Sequence, residues 1–288
     1  MRVALLVPEP GYTEDYAWAY EVEAAILRRV GIDVDPMPWT EVGDTASFDL
    51  ILPLVAWGYN LDYPRWLALL QRAEVECWPL FNPPRLLRWN GDKAYLRELG
   101  TKGIPTVSTV EVNTLDHGSL RGAAAKLGAT DLVIKPPISG GAHATYRIGL
   151  DDPIPADVAG RRMMVQTFQP TIAAGEWSLI LFNGKFSHAV LKIPAEGDFR
   201  VQPHLGGTDR IAVPPHGAIE LAQKALAAAP APALYARVDM IANAAGKLKI
   251  MELELIEPAL FLHDAPDKGV AFASAIRAAA ARAAPALR

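Results

Sequence analysis

The chain has 288 residues, 51% hydrophobic and 21% charged, a composition expected of a soluble globular protein with room for two or three cores. Lys and Arg number 28 against 32 Asp and Glu, a formal net charge of −4 with no basic block, which argues against nucleic acid as a main partner. The single Cys77 leaves no internal disulfide framework, no apolar run approaches the roughly 20 residues of a membrane helix, and the opening residues 1–8 are too short for a signal h-region, so the expected setting is the cytoplasm, away from membranes.

Residues 1–88 alternate strand and helix. Strands are expected at 3–7, 32–37, 48–55 and 76–81, with helices at 15–30 and 63–73, a βαβ rhythm that implies a parallel sheet. Ligands of such sheets sit beyond the strand C-termini, here the loops Pro8-Glu9-Pro10-Gly11-Tyr12 and Ala56-Trp57-Gly58-Tyr59-Asn60, whose aromatics fit a substrate cleft or a simple cover for the core. Asn82-Pro83-Pro84 breaks the pattern, and a helix at 86–99 is stopped by Gly100 and Gly103. A strand at 106–112, a helix at 120–127 and a strand at 132–135 follow. From Met163 the expected strands turn antiparallel: 163–168, 177–182 and 186–193 with an Asn183-Gly184 turn, then a short one at 199–202. A helix at 214–229, a hairpin at 235–241 and 249–256, and an Ala-rich helix at 267–284 complete the chain.

Two local patterns carry chemistry. Met251, Leu253 and Leu255 alternate with Glu252 and Glu254, so in a strand the two acids share a face, and pairing with 235–241 would bring Asp239 beside them. Three converging carboxylates repel unless a cation neutralises them, and oxygen ligands suit Mg2+ or Mn2+; the same spacing also fits acids on a solvated sheet face. The second pattern is the apolar strand Val133-Ile134-Lys135, followed by the small-residue loop Pro136-Pro137-Ile138-Ser139-Gly140-Gly141. Such a loop exposes N–H groups that can cradle phosphate, and the lysine adds a point charge. Neither a Gly-x-x-x-x-Gly-Lys-Ser/Thr loop nor a Gly-x-Gly-x-x-Gly turn after the first strand is present.

The order of parts is itself informative. Lys93 on a helix, Lys135 with its glycine loop, the strand through Gln166, Thr167 and Phe168, Arg200 with Gly206 and Gly207, and finally the acidic hairpin read as a site for Mg-ATP. In this order the chain resembles the ATP-grasp superfamily, in particular its glutathione-synthetase-like and ribosomal-protein-S6-modification-like ligases, over nearly its whole length. The resemblance is tightest at Asn90-Gly91-Asp92-Lys93, 133–147, 165–168, Asp198-Phe199-Arg200 with Gly206-Gly207, and Asp239 with 251–254, where Glu252-Leu253-Glu254 replaces the usual Glu-x-Asn.

The resemblance implies an α/β N-terminal domain at 1–88 on the substrate side, a small α+β lid at 89–168, and a larger α+β subdomain at 169–288 holding the metal site. It implies that Lys93, Lys135, Ser139, Gly140 and Gly141 meet the nucleotide phosphates, that Gln166, Thr167 and Phe168 meet the adenine edge, and that Glu176 lies near the nucleotide. Arg200 would face the transferred group, Gly206 and Gly207 the acyl-phosphate oxygen, and Asp239, Glu252 and Glu254 would hold two Mg2+. His143 and His204 fall in loops near this site, where proton transfer or a plain loop role are both open. The implied activity is ligation: a small carboxylate takes the γ-phosphoryl of ATP, and an amine displaces phosphate from the acyl phosphate. The 253–258 extension resembles that of short ATP-grasp proteins of specialised metabolism, including cyclo-ligases of the D-cycloserine-forming kind, and phosphotransferases share the scaffold. A homodimer is a further expectation from the family.

Overall fold

The computed structural model describes residues 1–283, and three sheets carry them. The first is parallel, in the order β2-β1-β3, from β1 (Arg2–Val7), β2 (Asp33–Pro38) and β3 (Leu50–Leu52). Val3, Leu5 and Val7 face α1 (Ala17–Arg29) and α7 (Val270–Ala283), while Ala4 and Leu6 face Trp66 and Leu70 of α2 (Tyr63–Val75). A strand covered on both faces has no polar side, which is why β1 reads as an unbroken apolar run. The expected strand at 76–81 contributes only Leu80, bridged in parallel to Ile51, because the chain turns at Cys77 with φ +53° and Pro79 lacks an N–H. The Ala284 end of the expected last helix, with the rest of 284–288, lies outside the described residues.

The expected helix at 86–99 is two, α3 (Pro84–Asn90) and α4 (Tyr95–Thr101). Asp92 Oδ1 accepts the Ala94 N–H at 2.9 Å and starts the second helix, and Gly91 lies so close to the Tyr63 ring that a side chain would not fit. Both helices pack through Leu86, Tyr95, Leu96 and Leu99 onto the largest sheet.

The second sheet is antiparallel, β4-β7-β5-β6, from β4 (Thr109–Val112), β5 (Leu132–Lys135), β6 (Tyr146–Ile148) and β7 (Met163–Thr167). Its helix α5 (His117–Leu127) begins at an Asp116–Ser119 capping box and ends at Gly128 with φ +64°. The third sheet, β10-β9-β8-β11-β12, uses β8 (Glu176–Phe182), β9 (Lys185–Ile193), β10 (Thr208–Ile211), β11 (Tyr235–Ala242) and β12 (Leu248–Glu254). The expected strand at 199–202 is instead an irregular segment, and the chain rejoins the sheet only at β10. The helix at 214–229 shortens to α6 (Ala218–Ala227) because Pro214, Pro215 and Gly217 (φ +81°) delay its start.

β12 is an edge strand whose outer groups are satisfied by a main-chain bridge from Thr106 to Ile250 and, further along, by side chains. Asn90 donates to Leu253 O at 2.8 Å and accepts from Leu255 N at 2.9 Å, and the Tyr95 hydroxyl engages both the N–H and the carbonyl of Leu253. Fully buried Asn82 donates to Tyr235 O and Leu255 O and accepts from Leu234 N, clamping the 81–84 crossover to the same strands. These clamps cover an otherwise open edge and fix where Glu252 and Glu254 stand.

Candidate active site

Along one face of the large sheet, β11 reads Tyr235, Arg237, Asp239, Ile241, because alternate residues share a face. Register places Asp239 opposite both Ser178 and Glu252, Arg237 opposite Glu254, and Glu176 opposite Lys192. Tyr235 packs in the core shared with the N-terminal sheet and Ile241 in a separate apolar cluster, so the charged rungs lie between two apolar ends.

The rungs are wired together. Asp239 Oδ1 accepts from Ser178 Oγ at 2.5 Å and Arg237 Nε at 3.0 Å, and its Oδ2 lies 3.2 Å from Lys192 Nζ. Lys192 Nζ also lies 2.5 Å from Glu176 Oε1, Arg237 contacts Glu254, and Lys93 Nζ lies 3.2 Å from Glu252 Oε1. Burial opposes ionisation of Asp239, yet Arg237 and Lys192 hold its carboxyl well below the usual carboxylate range. Burial pushes Glu254 the other way, up to about 7, against the pull of Arg237.

The expected trio of Asp239, Glu252 and Glu254 therefore meets on one face, but among the described residues it does not form a cluster of acids that could hold a metal by itself. Its charge is offset by Arg237, Lys192 and Lys93, two of which come from elsewhere in the chain. Asp239 has both oxygens engaged, whereas Glu252 and Glu254 each meet one cation and line the cavity. The donor set thus fits Mg2+ shared between these two glutamates and phosphate oxygens, since Mg2+ is usually held by one or two carboxylates plus substrate.

Lys93 N donates to Pro137 O at 2.8 Å and Lys93 Nζ to Ser139 O at 2.6 Å, tying the α3–α4 turn to the glycine loop. Lys135, 8% exposed at the end of β5, has no hydrogen-bond or ion-pair partner among the described residues, and burial lowers its pKa. Gly140 and Gly141 line the same cavity, and their N–H groups take no partner among the described residues.

The cavity holds about 200 Å3 and has an apolar end built from Val107, Ile172, Val201 and Ile241 with Phe168, Phe199 and Met251. Phe168 meets Phe199 edge-on at 5.9 Å, and the Arg147 guanidinium stacks 3.9 Å from the Phe168 centroid. Gln166 is buried and donates to Thr109 Oγ1 at 2.8 Å, while the Thr167 and Phe168 N–H groups bond Ser108 O and Asp131 O. These side chains shape the apolar end; the N–H groups of Thr167 and Phe168 are already engaged.

Arg200 lines the cavity and is held by Asp198 at 2.8 Å. Gly206 and Gly207 lie outside the cavity lining, and their N–H groups close a turn on Pro203 O and Gln202 O, so the expected approach to an acyl-phosphate oxygen is not made here. His143 and His204 are exposed and also outside the lining. Lys192 was not singled out from the sequence, and Asp198 and Glu257 fell within the resembling stretches 198–200 and 253–258 without a role of their own. Lys192 carries the same signal as Lys135, a lysine in the apolar run Ala189-Val190-Leu191-Lys192-Ile193.

Residues 3–82 match the model of the D-cycloserine synthetase DcsG N-terminal domain, and residues 124–243 match the prokaryotic glutathione synthetase ATP-grasp domain. The cycloserine biosynthesis protein DcsG of Streptomyces lavendulae is 28% identical over 95% of this chain and 97% of its own length. The crystal structure of D-cycloserine synthetase DcsG superposes with a TM-score of 0.82 at 23% identity, covering 98% of this chain and all (100%) of that one. D-alanine–D-alanine ligase from Bacillus anthracis gives 0.71 at 16% identity, covering 99% and 98%. The fold is that of the ATP-grasp superfamily, and residues 124–243 match its glutathione synthetase domain. Among the described residues no helix is long and apolar enough to cross a membrane.

Proposed function

We propose that this chain is an ATP-dependent cyclo-ligase: it activates the carboxylate of a small amino acid as an acyl phosphate and closes a ring with an amine-type nitrogen of the same molecule. The observation that supports the ring-closing form is that the N-terminal match and the 95% alignment both lead to the D-cycloserine-forming protein. The N-terminal unit is the one expected to set specificity. Disconnecting the ring amide of D-cycloserine gives an open acid, 2-amino-3-(aminooxy)propanoate, as the substrate type.

In this reading the apolar end of the cavity takes adenine, and Lys135 with the Gly140–Gly141 N–H groups takes the phosphates. The unpartnered buried ammonium of Lys135 is what suits it to phosphate, because a bound anion supplies the counter-charge the protein withholds. Lys93 holds the glycine loop by Ser139 and Pro137 and reaches the phosphates from the helix side. A carboxylate oxygen attacks the γ-phosphorus, ADP leaves, and the acyl phosphate forms. The ring nitrogen then attacks the carbonyl carbon and loses a proton as phosphate departs. Arg200, oriented by Asp198, faces the oxygens on which charge builds. Bound Mg2+, held by Glu252 and Glu254, would neutralise charge on the phosphates. Asp239, with Glu176, keeps Arg237 and Lys192 in place.

The units 1–88, 89–168 and 169–288 serve as substrate side, lid and metal-bearing subdomain, with α3 and α4 packed on the last. The test is incubation with Mg-ATP and 2-amino-3-(aminooxy)propanoate, following ADP, phosphate and cyclic product. Equimolar ADP, phosphate and ring are expected. ADP release that needs a separate amine, giving an open amide, would replace ring closure by intermolecular ligation.

A further inference from the structure

Two charged side chains of the cavity have no counter-ion among the described residues. One is Lys135, on the phosphate side. The other is Glu257, three residues beyond the end of β12. Each remaining charge that lines the cavity is matched within the protein: Lys93 by Glu252, Lys192 by Glu176 and Asp239, Arg237 by Asp239 and Glu254, Arg200 by Asp198.

Glu257 is half-buried, and its Oε1 points at the glycine loop, 3.9 Å from where a methyl on Gly140 would sit. Near it are Tyr12 and Tyr59 of the N-terminal unit, whose phenols are held above their ordinary range by burial first and by nearby carboxylates, Glu257 among them. Burial, with Glu254 next, pushes the Glu257 carboxyl up to about 8. Arg237 and Lys93 offset this only in part, and a cation seated beside Glu257 would favour its ionised form.

We propose that Glu257 binds the ammonium group that the substrate carries beside the carboxylate being activated, and so makes the enzyme selective for α-amino acids. The inference rests on the ligase reading above. An aminoacyl phosphate is anionic at its phosphoryl group and cationic at its ammonium, and the two unmatched groups of the cavity, Lys135 and Glu257, are its complement. An ammonium suits Glu257 better than a metal does. The Tyr12 and Tyr59 phenols of the N-terminal unit lie near it, and neutral phenols are not the carboxylate and carbonyl oxygens that Mg2+ takes.

The experiment compares 2-amino-3-(aminooxy)propanoate with its des-amino analogue, 3-(aminooxy)propanoate, by ADP release in the full-length chain and in Glu257→Gln and Glu257→Asp. The wild type is expected to prefer the amino acid in kcat/KM. Loss of one charge-assisted contact should shrink that preference about 10- to 100-fold in Glu257→Gln, through KM for the amino acid, with partial recovery in Glu257→Asp. A preference that is absent from the wild type, or that survives in Glu257→Gln, would overturn the assignment. So would a raised Mg2+ requirement in Glu257→Gln with the preference intact, which would make Glu257 a metal ligand. No ADP from either acid in the wild type would instead remove the ring-closing reading, and the assigned occupant of Glu257 with it.

Discussion

Replacing Lys135 with Met should make the empty protein more stable and the nucleotide site inactive, two effects of opposite sign from one change. Leu132 and Ile134, which precede Lys135 in β5, are fully buried, and Lys135 itself is 8% exposed with no partner among the described residues. An unpaired ammonium in such a place is destabilising by several kcal/mol even after relaxation. Glu252 offsets part of this across the cavity, but Lys93 already contacts that carboxylate and repels Lys135. A Met of similar length keeps the packing and removes the charge, for a net gain of about 1–3 kcal/mol. At about 2–4 °C per kcal/mol for chains approaching this size, the melting temperature of the empty protein should rise by roughly 2–12 °C. Loss of the charged contacts to phosphate, about 1.5–3 kcal/mol, weakens nucleotide binding by about 10- to 100-fold. Thermal unfolding with and without Mg-ATP reads both effects, because a ligand bound only to the native state raises its melting temperature. The wild type should melt lower and shift upward with Mg-ATP; the variant should melt higher and barely shift. A variant that melts lower than wild type yet keeps the full Mg-ATP shift would refute the reasoning, since Lys135 would then be a structural residue.

Gly207→Ala should reduce kcat about 10- to 100-fold with little change in the melting temperature, because a Cβ there meets the Val201 carbonyl and comes within 3.1 Å of Gln202 O, pushing the loop that carries Arg200. Wild-type kcat in this variant would show that the loop tolerates the shift. Glu23 lies in the core of α1 with Oε2 unpartnered, and burial raises its pKa well above the ordinary value. The folded state keeps a proton that the unfolded chain releases, so stability falls as pH rises above the ordinary carboxylate pKa of about 4.3. Glu23→Met removes this loss and should stabilise by about 1–3 kcal/mol at pH 8, with the gain shrinking toward pH 4 in urea titrations. A gain equal at both pH values would place its origin in packing instead.

Much of the site was legible because its signals are local. The alternation around Glu252 and Glu254 gave their shared face, and the apolar run into Lys135 gave a buried cation, since neither needs knowledge of distant residues. What escaped depends on long-range pairing. Nothing near Asp239 in the chain announces Lys192, which register brings across from β9 through β8, so the carboxylates looked short of cations and a bare metal trio was expected. The break between α3 and α4 was hidden because helix formers flank it on both sides, and it exists to turn Lys93 toward the glycine loop. β10 was missed because Thr208, Asp209 and Arg210 are exposed and carry no apolar alternation. Glu257 lies in the 253–258 extension, but its role depends on which charges of the cavity pair with one another across distant strands.

The central claim is that this cavity transfers the γ-phosphoryl of ATP to a carboxylate. The most direct measurement uses 2-amino-3-(aminooxy)propanoate labelled with 18O in its carboxylate, with mass analysis of the released phosphate. One 18O atom in each phosphate, with ADP as the nucleotide product, is the predicted result. Unlabelled phosphate, or AMP in place of ADP, would contradict an acyl-phosphate route.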